Sequence, residues 1–216
     1  MENASHKKLT NNIHLLIFDS QKEVAKTFVR FQEYYESPKF KGKIFSLGEF
    51  KNWYVKNSPN GQKTGKFTYY EDWGGFNVPS YILEPFYKGK FDPLLKREKK
   101  LLQEFEDEKD PFYIIGTHAK VNNFRAYIEH ESAHGLFYTD EEYRKEIYKE
   151  LLKYDLGELE EKILSKGYHE DVVKDEIQAY LIESRGKFED LAPESLVKNL
   201  REKYNKYVNK HGFDLK

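Results

Sequence analysis

The amino-acid sequence predicts an α+β protein, with strands near its beginning and middle and helices through most of its last part. Two short apolar runs, Ile13–Phe18 (IHLLIF) and 112–116 (FYIIG), are bounded by polar residues and predict buried strands. From residue 122 onwards, apolar residues recur mostly at helical spacing. The chain of 216 residues can bury a sizeable core, and we expect a single domain over 1–216, in which 1–110 form an N-terminal α/β elaboration.

Composition and charge limit the classes of partner and site. Thirty-six basic and 37 acidic side chains leave a formal net charge of -1, so no overall field favours nucleic acid or an anionic membrane. The chain has no Cys, which leaves His and carboxylates as the strong metal ligands. The sequence starts with a polar segment and has no run near the roughly 20 apolar residues of a spanning helix. We therefore expect a cytoplasmic protein without nucleic-acid or membrane partners; the oligomeric state stays open.

The N-terminal half gives weaker signals than the C-terminal half. Ser20 and Glu23 have the spacing of a capping box and predict a helix directly after the first strand. Residues 43–46 suggest a second strand, and 49–56 a short helix. Residues 57–65 (NSPNGQKTG) are rich in turn formers.

The next segments lead to the second apolar run. Residues 66–90 are aromatic and carry Gly and Pro, which indicates strands or ordered loops. Residues 91–106 read as a charged helix that ends before Asp110 and Pro111.

The C-terminal half predicts consecutive helices. Asn122 or Asn123 can cap a helix through the sequence FRAYIEHESAHGLFY. Three further helices follow: one capped by Thr139 and Glu142, one over 156–165 that ends near Gly167, and one opened by His169 or Glu170 (DVVKDEIQAYLIES). Pro193 then starts the last helix, which runs to about Asn209.

The first of these helices carries an HExxH sequence, residues 130–134 (HESAH). Positions four apart lie on one helix face about one turn from each other, so the imidazoles of His130 and His134 can converge on one ion. Glu131, one step round the helix, can then reach a water molecule on that ion. Zinc with three protein ligands keeps a fourth position for water and lowers its pKa to about 7. The spacing therefore predicts a zinc site with Glu131 as general base.

A third zinc ligand is expected further along the chain, and Glu176 is the first choice. Its neighbours at minus four, minus three, plus three and plus four are apolar or aromatic, so Glu176 faces inward. A buried carboxylate is costly unless it is paired or coordinates a metal. Asp175, Glu183 and His169 are the alternatives, and Asp175 can instead orient a ligand imidazole by accepting its other N–H.

These residues resemble the zincin metallopeptidases, and within them the gluzincin branch, where a glutamate ligand follows HExxH on a later helix, often within ExxA. Residues 176–179 (EIQA) fit that pattern. The metzincin extension requires Gly at position 137 and His at position 140, where this chain has Phe137 and Asp140. The resemblance spans roughly 112–184 and implies a zincin-like half over 111–216, with an active-site helix packed under a small sheet and a helical C-terminus.

The resemblance also implies an activity, the hydrolysis of peptide bonds in a peptide or protein substrate. It makes Glu131 both the general base and the later proton donor to the leaving amine. It further implies that the strand at 112–116 is an edge strand to which an extended substrate adds. The oxyanion needs a further donor, and the residues weighed for it are Tyr138, Tyr180, His118 and His169.

Two other interpretations stay open at the level of sequence. The first is a zincin-like module that holds metal with little or no turnover and acts in protein interaction or regulation. The second is a helical structural protein in which HExxH arises by chance.

Overall fold

The computed structural model describes residues 4–166 and 168–213, and the protein is an α+β protein. The chain divides into two compact units, Met1–Lys7 with His14–Val121 and Lys8–Ile13 with Asn122–Lys216. Among the described residues, no helix combines the length and the apolar character needed to cross a bilayer.

The first part of the chain holds all four strands found in the described residues. Its elements are β1 (Ala4–Lys8), β2 (Ile13–Phe18), α1 (Gln21–Glu36), α2 (Leu47–Asn57), α3 (Pro59–Thr64), α4 (Tyr69–Asp72), β3 (Phe76–Pro79), α5 (Glu84–Tyr87), α6 (Lys96–Glu104) and β4 (Tyr113–His118). A 3-10 turn, Ser80–Leu83, separates β3 from α5.

The four strands form one sheet in the order β1-β2-β4-β3, with β3 antiparallel to β4. Helix α1 packs on β3 and β4. The core beneath the sheet consists largely of aromatic rings, which fits the high Phe and Tyr content of the chain. The ring of Phe28 on α1 stacks on Phe76 at 5.7 Å and lies against Gly116, the residue that pairs with Phe76.

The expected edge strand is an interior strand. Strand β4 lies between β2 and β3, and all six of its residues are buried. Its backbone hydrogen-bonding groups on both sides are therefore used within the sheet, and the prediction that a substrate adds to this strand is wrong. The neighbour that covers β4 on this side is the four-residue strand β3, which lies within the segment 66–90 where the sequence indicated strands or ordered loops.

Between β1 and α4, the structure confirms some predicted elements and corrects others. Strand β2 has the predicted bounds, and the Ser20 side chain accepts a hydrogen bond from the Glu23 backbone at the start of α1. Residues 43–46 form no strand, because Ser46 belongs to the capping box of α2. The turn formers at 57–65 include a short helix, α3, with Pro59 in its first turn and Gly65 in the left-handed conformation after its end.

The second unit is helical. Its helices are α7 (Phe124–Thr139), α8 (Glu141–Leu151), α9 (Gly157–Leu164), α10 (Val173–Ile182) and α11 (Glu194–Lys210). Helix α10 packs against α7, α9 and α11, and α8 packs against α7 and α11. The boundary at Val121 places β4 with the sheet, whereas the sequence grouped 112–116 with the motif helix.

Helix starts in this unit lie within a residue or two of the predicted positions. Asn123 holds the N-cap position of α7, although its side chain makes no capping bond. Asp140, and not Thr139, caps α8 by accepting from the Tyr143 backbone. His169 accepts from the Asp171 backbone and opens the turn that leads into α10. The predicted end near Gly167 lies outside the described residues.

Candidate metal centre

Helices α7 and α10 together carry the candidate site, and both belong to the second unit. Most of α7 is buried, so the HExxH sequence lies inside this helical unit. The buried Ser132 hydroxyl lies 2.6 Å from the hydroxyl of Tyr204 on α11. The Glu129 carboxylate accepts from the Ser184 backbone, 2.9 Å away at the end of α10. These bonds fix the position of α7 relative to its neighbours.

Three of the predicted residues come together. The Nε2 atoms of His130 and His134 lie 3.2 Å apart, and Glu176 Oε1 lies 3.6 Å from the Nε2 atom of His134. One donor atom from each of the three residues falls within 4.8 Å of the others, and all three side chains are largely buried. The separation of the two Nε2 atoms matches a tetrahedral zinc, because nitrogens about 2.0–2.1 Å from the ion lie about 3.3–3.4 Å from each other.

Behind His134, a chain of side chains holds the imidazole. Its Nδ1 atom lies 2.9 Å from Asp175 Oδ1, which also accepts from the side-chain amide of Gln178 at 3.0 Å. Gln178 in turn accepts from the buried Tyr143 hydroxyl at 2.8 Å. An Nδ1–H donated to Asp175 leaves the Nε2 lone pair for a metal. Asp175 thus has the orienting position that the sequence allowed for it.

Behind His130, the equivalent position is filled by Glu183. Its Oε2 atom lies 3.2 Å from the Nδ1 atom of His130, and both of its oxygens accept from Arg185. Burial alone would raise the pKa of Glu183, but the interactions with His130 and Arg185 lower it. The sequence indicates Glu183 only as an alternative ligand. Glu183 directly follows α10, and its spacing of seven residues from Glu176, two helical turns, is the signal that it lies near the same side of that helix.

The two histidines have opposite electrostatic environments. Burial lowers the pKa of His130 to about 4, with partial compensation from Glu183. Burial also acts to lower the pKa of His134, but the charges of Asp175 and Glu176 raise it to about 10. A divalent ion can replace the proton on the Nε2 atom of His134, because a ligating imidazole must be deprotonated at its donor nitrogen.

The candidate general base, Glu131, is buried beside this group, with 8% of its surface exposed. Its charge contributes to the raised pKa values of both His134 and Tyr180, which places its carboxylate near the ligand cluster. Glu131 is not among the residues whose donor atoms converge. This arrangement suits a carboxylate that acts on a water molecule and does not ligate the ion.

Of the residues weighed as oxyanion donors, Tyr180 lies beside the ligands. Its ring is 4.7 Å from that of His130, and its hydroxyl is 3.0 Å from the hydroxyl of Tyr168. Burial and the nearby carboxylates raise the pKa of Tyr180, so the hydroxyl stays protonated and can donate.

The structure does not bring the other histidines into the cluster. The side chain of His169 is 61% exposed and lies 3.1 Å from Asp171. His118 lies at the end of β4 in the first unit, where its Nδ1 atom accepts from the Lys120 backbone. It is buried there.

Comparison of the chain with protein-family models, with curated proteins and with solved structures finds no match. The site itself carries the functional information: two buried imidazoles and one carboxylate converge, and each imidazole has an acidic partner behind it.

Proposed function

We propose that this protein is a zinc-dependent metallohydrolase that cleaves peptide bonds, with His130, His134 and Glu176 as the metal ligands. The observation that supports it most directly is the 3.2 Å approach of two Nε2 atoms beside the Glu176 carboxylate. Three protein ligands with a fourth position left for water are typical of catalytic zinc and not of structural zinc.

The residues of the chain then have separate roles. Zinc held here would supply a Lewis acid and lower the pKa of a coordinated water to about 7. Glu131 accepts the proton of the attacking water and returns it to the leaving amine. Asp175 and Glu183 hold the ligand imidazoles in orientation, and Tyr180 donates to the developing oxyanion.

Metal analysis tests the ligand assignment. Protein purified without chelator should contain about one zinc per chain, and His130→Ala and Glu176→Ala should each lose it. Glu202→Gln on α11, whose side chain is 65% exposed, is the matched control and should retain the metal. Zinc content that is unchanged by both ligand substitutions contradicts the proposed site and leaves HExxH as a chance sequence.

A second variant tests hydrolysis separately from metal binding. Glu131→Gln should keep zinc and lose cleavage of a peptide library read by mass spectrometry, because the amide cannot accept the proton. A loss of roughly 100-fold to 10,000-fold is expected for removal of a general base. A zinc-loaded wild-type protein that cleaves no peptide would favour the alternative role, a metal-holding module in protein interaction or regulation.

A further inference from the structure

Two lysine ammonium groups converge on one aromatic ring close to the candidate metal centre. The Nζ atom of Lys166 lies 5.3 Å from the centre of the Phe188 ring, and that of Lys187 lies 5.5 Å from it. Each is within the range of a cation–π contact. Two like charges on one ring repel each other, and a bound anion between them would relieve that repulsion.

Lys187 is the more constrained of the two. Its Nζ atom is also 4.5 Å from the centre of the Tyr180 ring, and the side chain is partly buried. Burial, and then the like charge of Lys166, lower the pKa of Lys187. Within 4–166 and 168–213, neither ammonium forms an ion pair with a carboxylate. A desolvated cation of this kind is stabilised by an anionic ligand.

The conformation of Phe188 is a further sign of function. Its backbone φ of 66° lies in the left-handed region, which is unfavourable for a bulky side chain. The strained backbone positions the ring at 5.0 Å from that of Tyr180 and beneath both lysines. Strained residues of this kind cluster at ligand-binding and active sites.

Lys187 lies close to His130, one of the proposed metal ligands. Lys187 and His130 both lie against the ring of Tyr180. The centre of that ring is 4.5 Å from the ammonium and 4.7 Å from the centre of the imidazole, so at most about 9 Å separates the two groups. An extended peptide covers that distance in about three residues, at roughly 3.3 Å per residue. A substrate held at the metal can therefore reach Lys187 with a group close to the cleaved bond.

The nearest carboxylates of the protein are already engaged. Glu183 is bound by Arg185 and faces His130, and Glu176 is assigned to the metal. Phe188 also borders an open depression of about 440 Å³ whose lining includes Glu158, Glu161, Lys162 and Asp190. These acidic groups disfavour an anion in the depression itself, which limits an anion site to the two ammonium groups.

We propose that Lys187, on the rings of Tyr180 and Phe188 and supported by Lys166, binds a carboxylate of the peptide substrate within about three residues of the cleaved bond. This inference rests on the proposed peptide hydrolysis, because carboxylates are the anionic groups that an unmodified peptide offers. The carboxylate has two sources, the C-terminus of the substrate or an Asp or Glu side chain.

Three synthetic peptide pools of equal length and with blocked N-termini test this site with the zinc-loaded full chain. One pool lacks Asp and Glu and ends in an amide, a second adds one Glu at each position in turn, and a third lacks acidic side chains but ends in a free carboxylate. Cleavage by the wild type, and retention on immobilised Glu131→Gln protein, are both read by mass spectrometry. We expect a preference of tenfold or more for the second or the third pool, and the preferred pool identifies the source.

Substitution of Lys187 shows whether the preference arises there. Lys187→Met should abolish it, Lys187→Arg should restore it, and Lys187→Glu should shift it towards peptides that contain Lys, with zinc content unchanged in all three. Lys198→Met on α11, a lysine with 73% side-chain exposure, is the control that should keep the preference. A preference that survives Lys187→Met, or equal use of the three pools, overturns the inference.

Retention separates this inference from the proposed hydrolysis. If the wild type cleaves none of the pools, hydrolysis is contradicted, and retention of acidic peptides that depends on Lys187 still supports a carboxylate site. If no pool is retained either, the carboxylate site is contradicted as well.

Discussion

Each motif histidine has a carboxylate at its Nδ1 atom, and the two carboxylates differ in their surroundings. The Asp175 side chain is 23% exposed, whereas Glu183 is fully buried and bound by Arg185. In a metal site, a carboxylate at this position would orient the ligating nitrogen and increase its basicity. Glu183→Gln and Asp175→Asn should therefore each weaken zinc binding about 10-fold to 100-fold.

Competition for zinc with a chromophoric chelator measures the zinc affinity of each variant, and circular dichroism shows whether the fold persists. The exposed Glu202→Gln serves again as the control. Zinc affinity within twofold of the wild type in both variants would show that neither carboxylate orients the ligands.

The sequence predicts which residues of the site converge, but it does not predict the role of each carboxylate. The spacing of His130, His134 and Glu176 predicted the residues that converge, because helical periodicity fixes which side chains share a face. The same periodicity puts Glu183 near the face of Glu176. It does not determine which of the two carboxylates reaches the Nε2 atom of His134 and which reaches the Nδ1 atom of His130. That choice depends on where α7 crosses α10, which arises from packing and is not encoded in spacing.

A second residue-scale prediction concerns Glu33 on α1, in the first unit. Burial raises the pKa of its carboxyl to about 7, and hydrogen bonds with Tyr69 and Ser37 limit the rise. Below the unfolded pKa of about 4.5 the group is protonated in both states. Between the two pKa values the unfolded state loses its proton first, so the free energy of unfolding falls as pH rises, by about 3 kcal/mol over the whole interval.

Glu33→Gln removes this titration and should stabilise the protein at pH 8 while leaving its stability at pH 4 nearly unchanged. Urea unfolding at both pH values measures the difference, with the exposed Glu71→Gln on α4 as the comparison. A stabilisation of equal size at pH 4 and pH 8 would show that the buried charge is not its cause.

At the scale of elements, the packing of β4 on α1 depends on the absence of a side chain at Gly116. A Cβ atom added there would lie 2.5 Å from the ring of Phe28, which is itself stacked on Phe76. The ring cannot move without disturbing the aromatic core, so Gly116→Ala should lower the free energy of unfolding by about 1–3 kcal/mol.

The matched control is Gly48→Ala in α2, where the nearest atom to an added Cβ is 3.8 Å away. This change should be neutral or slightly stabilising, because Ala favours the helix more than Gly does. Thermal unfolding of the two variants compares them directly. A Gly116→Ala protein as stable as Gly48→Ala would mean that the sheet and α1 do not pack as described.

Elements with a strong periodic pattern were predicted, and those without one were not. The helices that follow residue 122 carry apolar stripes and recognisable caps, and their starts came out close to the observed ones. Strand β1 (ASHKK) is polar and has no buried residue, so its sequence gives no strand signal. Helix α3 is hidden by Pro, Asn and Gly, residues that equally favour turns. The position of β4 inside the sheet depends on a distant strand, which local pattern does not report.

At the scale of the whole molecule, the α+β class follows from segregation of the elements. The sheet and its aromatic core occupy one unit, and helices α7 to α11 occupy the other, which alone supplies the three candidate ligands. Within the second unit, the ligands come from α7 and α10, so any opening that separates these helices destroys the site.

Zinc should therefore protect the two units unequally against hydrogen exchange. Zinc at 100 times its dissociation constant stabilises the bound state by about 2.7 kcal/mol, which slows exchange through site-breaking openings about 100-fold. Amides in Phe124–Thr139 and Val173–Ile182 should show this slowing when zinc is added to chelator-treated protein. Amides of the sheet that exchange through local openings should not exchange more slowly with zinc, because those openings leave the ligands in place.

His130→Ala should remove the slowing in both helices. Equal slowing throughout the chain would instead indicate one cooperative unfolding unit, and no slowing anywhere would contradict the metal site.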